Sequence, residues 1–191
     1  MANQLLHKIL AFPPGGCEFG PQQASSSARE LLDQLRPGDV VSGQMFDQQM
    51  AAAALAGLWL RHGFLDRSHN ISQSLDTAEG SYWHGIMHRR EPDYGNGKYW
   101  FRRVGQHAVF ADLAQRLNAA IQTGEVQTND LPATASQRVT SLASEWDPFA
   151  FVDLCQQAAQ TGNDNMRQTC EAIADLEWQA LFDYCRAQAG S

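Results

Sequence analysis

The stretch from Gln48 to Leu65 limits the fold of this chain more than any other. It is built mainly from Ala and Leu, with Met50, Trp59 and Phe64 among them. Ala and Leu are strong helix formers. Apolar residues on nearly every face leave no solvated side, so the helix must be enclosed by other elements. The run of helix-compatible residues extends through Asp66 and His69 towards Leu75, which predicts one long buried helix ahead of a break at Asp76-Thr77.

The remaining segments add helices around it. Pro13-Pro14-Gly15-Gly16 interrupts the N-terminus, and 20–26 is polar. Ser27 and Glu30 form a capping-box pattern ahead of Leu31, Leu32 and Leu35, stopped by Pro37-Gly38. Residues 39–45 hold too little apolar character for more than a short extended piece. Asp76 or Thr77 caps a helix that carries Trp83 to Arg90 and is limited by Pro92. Residues 94–97 read as a turn with two glycines, and 98–104 fits either a short helix or a strand. Phe110, Leu113, Leu117 and Ile121 repeat at helical spacing. The stretch 124–136 lacks periodicity and reads as a long loop. Asp147-Pro148 is an N-cap followed by N1 proline, and 163–187 is helical throughout, with Cys170, Ile173, Leu181 and Tyr184 facing the core. The reading is all-α: a single-domain irregular bundle of six to seven helices over 27–191, preceded by an irregular segment, 1–26.

Composition narrows the function. A hydrophobic share of 43% over 191 residues suffices for a core without disulfide or metal support, so a bound metal would serve function rather than folding. The net charge of −7 argues against nucleic acid as a partner. Arg89, Arg90, Lys98, Arg102 and Arg103 form a local basic cluster better suited to a small anionic ligand. Cys17, Cys155, Cys170 and Cys185 show no CxxC spacing, which excludes a zinc-finger pattern. No run approaches 18 apolar residues and the N-terminus is a poor signal peptide, so the expectation is a cytoplasmic protein with no membrane partner.

The chemistry concentrates in Gly80–Tyr94. On a helix, His84, His88 and Glu91 lie at i, i+4 and i+7 and span only about 60° of its circumference. Two imidazoles and a carboxylate on one stripe suit a metal ion or an acid–base pair. Upstream, His62, Asp66 and His69 repeat the same spacing. The short connection at 75–77 sets the two helices antiparallel, which brings His69 nearer to His84 than to His88 and towards a shared cavity. The expected metal ligands are therefore His69, His84 and His88, with a divalent transition metal as cofactor. Zn²⁺, Fe²⁺ and Mn²⁺ fit such a donor set equally. His107 stands as a further ligand or as a residue without function. A fold-stabilising polar network gathers the same residue types, and on that reading His88 complements the helix C-terminus.

Tyr82, Trp83, Tyr94, Asn96, Tyr99 and Trp100 surround this run, as the lining of a ligand pocket would. Glu91 serves as ligand or general base, and Arg90 and Lys98 hold an anionic or carbonyl group. Glu91 and Asp93 could instead work as a metal-free acid–base pair. No GxSxG, GxGxxG or P-loop is present. The segment Gly80–Tyr94, with Lys98–Arg103 and the closing Glu177-Trp178 and Leu181–Cys185, resembles a family of uncharacterised bacterial proteins. The resemblance covers about a third of the chain and implies no activity, cofactor or substrate. The functional expectation is thus a small metal-dependent enzyme, a hydrolase acting on a small polar or anionic molecule. The alternatives are a non-catalytic ligand-binding domain and a metal-free hydrolase.

Overall fold

The computed structural model describes residues 2–13, 19, 26–41 and 43–190, the side chains of residues 2 and 3 excepted. Among these residues there are ten α-helices and no strand. They are α1 (Ala2–Ala11), α2 (Ser26–Leu32), α3 (Gln48–Arg61), α4 (Leu65–Ser72), α5 (Ala78–Arg90), α6 (Tyr94–Val104), α7 (Val109–Thr123), α8 (Ala133–Ser144), α9 (Pro148–Thr161) and α10 (Asp164–Ala189). A 3₁₀ turn, Pro37–Val40, links α2 to α3. The class is all-α, but six to seven helices was an undercount.

The apolar stretch is the centre of the fold. Asp47 opens α3 by accepting from the backbone N–H groups of Gln49 and Met50. Every residue from Ala53 to Leu60 is buried. Helices α10, α4 and α5 pack around α3, and α6 packs along α5. Gly57 is needed for the closest of these contacts: a Cβ there would fall 2.6 Å from the Trp83 ring of α5. Its carbonyl accepts from Trp178 Nε1 of α10 at 2.7 Å.

The long 48–75 helix of the sequence reading does not form. His62 caps α3, and Gly63 takes φ +82°, a left-handed conformation that ends the helix and redirects the chain into α4. The HxxxDxxH stripe is thereby divided. His62 is buried at the end of α3, whereas Asp66 and His69 belong to α4.

Three further helices lay where the sequence suggested none or left the choice open. Asp93 caps α6 by accepting from the Asn96 N–H, so helix starts at Tyr94 despite Gly95 and Gly97. Helix α8 starts inside the end of the stretch read as a loop and runs on to Ser144, over residues to which the sequence reading gave no element; its Ala135, Val139 and Leu142 share a buried face at i, i+4, i+7. Helix α1 lies within the segment expected to be irregular and buries Leu6 and Ile9. The Pro14–Cys17 part of that segment lies outside the described residues. Among the described residues between 39 and 45 there is no extended segment beyond an isolated bridge from Met45 to Gly190.

Candidate functional site

Helix α5 carries the site because it is buried on almost every face, each face meeting a different neighbour. Thr77 caps it by accepting from the Gly80 N–H. At about 100° per residue, His84 and His88 share one stripe and Arg90 sits about 200° away from His88. The histidine stripe meets α4 and α6. His69 of α4 reaches His84 with ring centroids 4.5 Å apart and His88 at 5.9 Å. His84 and His88 stack at 4.9 Å. Each of the three imidazoles offers a ring nitrogen within 4.8 Å of the others.

Tetrahedral nitrogens bound at about 2.1 Å from one ion lie about 3.4 Å apart. The cluster must therefore contract to hold a metal. His84 is the fixed member, only 2% exposed and stacked on the Trp100 indole at 3.9 Å with 15° between the planes. His69 and His88 are half-buried. His84 Nδ1 is buried with no hydrogen-bond partner among the described residues, and so is His88 Nδ1. An orphaned imidazole nitrogen is a costly feature for a purely structural cluster and an ordinary one for a ligand set.

Electrostatics keeps these lone pairs free. Burial, reinforced by His69 and His88, pushes His84 down to about 3. Burial also lowers His88, against the opposing pull of Asp93 and Glu91. Glu91 Oε2 lies 3.7 Å and Asp93 Oδ2 3.9 Å from His88 Nδ1. Asp93 is tied down by Asn96, whose Nδ2 donates to it at 2.7 Å, and that bond holds its carboxyl below the usual range. Glu91 caps the C-terminus of α5 and is more than a third exposed.

The other expected site residues are dispersed. Trp83 points away from the histidines, to Gly57 and to Trp178 at 6.5 Å. Tyr82 is fully buried against Phe101, His107 and Phe110. Tyr94 packs on the core at the start of α6, and Asn96 serves Asp93. Tyr99 is exposed and touches the edge of Trp100 at 5.5 Å. Arg90 is buried and donates to the Leu60 carbonyl. Lys98 pairs with Asp153 of α9. The basic residues assigned to an anion are thus engaged elsewhere, for a simple reason: each sits on the side of its helix opposite the histidines or Trp100. His107 is no further ligand, since Nε2 meets Glu79 at 3.2 Å and Nδ1 accepts from the Val109 N–H.

Two buried polar pairs escaped the sequence reading. Arg89, counted in the basic cluster suited to an anionic ligand, is fully enclosed and pairs with Glu177 of α10; its guanidinium also lies over Phe151 at 4.4 Å. A signal was present, because Glu177 falls at i+4 from Ile173 and i−4 from Leu181, both core residues. A carboxylate in an apolar stripe requires a buried cation. The second pair is Glu79–His107. Cys155, Cys170 and Cys185 are buried thiols that form no disulfide. Burial raises the Cys185 thiol, leaving it unreactive. Among the described residues, no helix is long and apolar enough to cross a membrane.

No family model matches this chain, and no curated protein or solved structure is significantly similar to it, so the functional reading rests on the geometry above.

Proposed function

We propose that His69, His84 and His88 hold a divalent transition metal and that the protein is a small metal-dependent hydrolase. The observation that carries this reading is the convergence of three imidazoles from two helices on one point, with the buried Nδ1 of His84 unpaired. Three neutral nitrogen donors suit Zn²⁺, Fe²⁺ or Mn²⁺. A three-ligand set leaves a coordination position open, as catalytic rather than structural sites do. The ion would lower the pKa of bound water or polarise a substrate oxygen. Glu91, the less constrained of the two carboxylates beside His88, fits general base or fourth ligand. Asp93 orients His88 and caps α6. With Arg90 and Lys98 turned away, a small polar substrate suits the site better than one needing a strong anion clamp.

Metal analysis of untagged protein tests the reading. About one equivalent of metal per chain is expected, falling to near zero in His84→Ala. Less than about a tenth of an equivalent after reconstitution overturns it. Hydrolysis of small esters or amides should be lost on chelation and restored by metal. A second reading, metal-free acid–base hydrolysis, draws on the approach of Glu91 and Asp93 to His88. It requires one carboxyl to stay protonated, whereas the Asn96 bonds favour the ionised Asp93. Activity that survives exhaustive chelation would select it.

A further inference from the structure

A metal-bound imidazole commonly donates its second N–H to a carboxylate, carbonyl or water, and that bond fixes the tautomer and the plane of the ring. The Nδ1 of His84 is the buried, unpaired nitrogen that would meet the ion, and the plane of its ring is set by stacking. The ring is stacked by the Trp100 indole, 3.9 Å away and 15° from parallel, and by His88. Trp100 is itself held. Tyr99 meets its edge and the Arg103 guanidinium lies over the ring at 5.3 Å.

The backbone brings this stack about. A Cβ on Gly97 would sit 3.3 Å from the Gly85 carbonyl oxygen and 3.5 Å from the Arg89 nitrogen, so α6 lies directly on α5 at this point. Gly85 likewise leaves room for the Phe101 ring, 3.1 Å from where its Cβ would be. Trp100 follows Gly97 by three residues, on the same side of α6. The close crossing therefore delivers the indole to the face of His84.

We propose that Trp100 is a positioning residue of the metal centre, its stacked ring orienting the imidazole of His84. The proposal rests on the metal reading above. An ion bound by His84 lies in the plane of that ring, so fixing the plane fixes the arc on which His69 and His88 must meet it. Trp100 touches neither metal nor substrate in this role. Without the indole, His84 would have to be ordered at the moment of binding, which weakens affinity and loosens the coordination geometry.

The test is a Co²⁺ titration of the full chain followed by d–d absorption, in the wild type and in Trp100→Phe, Trp100→Leu and Trp100→Ala. Circular dichroism and thermal melting establish folding of each variant. The wild type is expected to bind one Co²⁺, Trp100→Phe to stay close to it, and Trp100→Leu to bind about 10-fold more weakly with a shifted d–d band. Leu keeps apolar bulk without a flat face, so it keeps the test decisive should Trp100→Ala fail to fold. Wild-type affinity and an unshifted band in folded Trp100→Leu overturn the role of Trp100 while the metal reading stands. Absence of Co²⁺ binding by the wild type overturns the metal reading itself.

Discussion

At the scale of residues, buried ionisable groups are the sharpest points of leverage. His62 lies at the end of α3, and burial, aided by neighbouring Arg61, lowers it from 6.5 to about 4, with the Ile9 backbone opposing. In the unfolded chain it takes up a proton below its ordinary value of 6.5; in the folded chain it does so only below about 4. Between those values the unfolded state binds more protons, so stability is full above the upper one and falls as pH drops towards the lower. The shift corresponds to about 3 kcal/mol across the window. His62→Gln should flatten stability against pH there, measured by urea denaturation at several pH values; an unchanged slope contradicts it. The Arg89–Glu177 pair behaves differently, because both partners are fully enclosed. Arg89→Met strands a carboxylate in the core and should cost about 3–5 kcal/mol, while the double variant with Glu177→Leu should recover most of it. Equal losses in single and double variants would show that the pairing is not what matters.

At the scale of elements, close helix crossings are set by small residues rather than by helix propensity. Gly57→Ala illustrates the contest. Replacing a mid-helix glycine by alanine ordinarily stabilises a helix by about 1 kcal/mol. Here the added methyl would fall 2.6 Å from the buried Trp83 ring. Overpacking of that kind costs about 1–3 kcal/mol, so a net loss of stability is expected with a changed tryptophan emission. A rise in melting temperature would show that α5 can shift without penalty. Element boundaries show how far local sequence reaches. Thr77, Asp47 and Asp147 cap their helices as their residue types suggest. Gly63 was an ambiguous mark, since helices tolerate glycine; the turn into α4 settled it. Helix α6 was obscured by its two glycines, and one of them serves the crossing with α5 rather than a turn.

At the scale of the molecule, a metal bound between α4 and α5 would tie two elements together and stabilise only the folded chain. At a free ion concentration about 100 times its dissociation constant the gain is about 2.7 kcal/mol. For a domain of this size that is roughly 5–10 °C in melting temperature. Thermal melting with and without Zn²⁺ should show this shift, reversed by chelator and absent in His88→Ala. A shift of equal size in that variant would place the ion elsewhere.

What the sequence by itself determined was local and periodic. The enclosed α3 was legible because a helix apolar on every side has nowhere else to go. The stripe of His84 and His88 was legible because helix geometry places i and i+4 together whatever the surroundings, and the short link before α5 sufficed to bring His69 alongside. Only the tertiary structure decided which neighbour met each remaining face of α5. Tyr82, Trp83 and Arg90 stand beside the histidines in sequence, yet one helix turn sends Tyr82 to α6 and α7, Trp83 to α3 and α10, and Arg90 to the end of α3. Lys98 and Arg89 found carboxylates 55 and 88 positions away. Those partners depend on how the helices cross, which no short window of sequence records, and they drew Arg90, Lys98, Tyr82 and Trp83 away from the histidine cluster while Trp100, Glu91 and Asp93 stayed beside it.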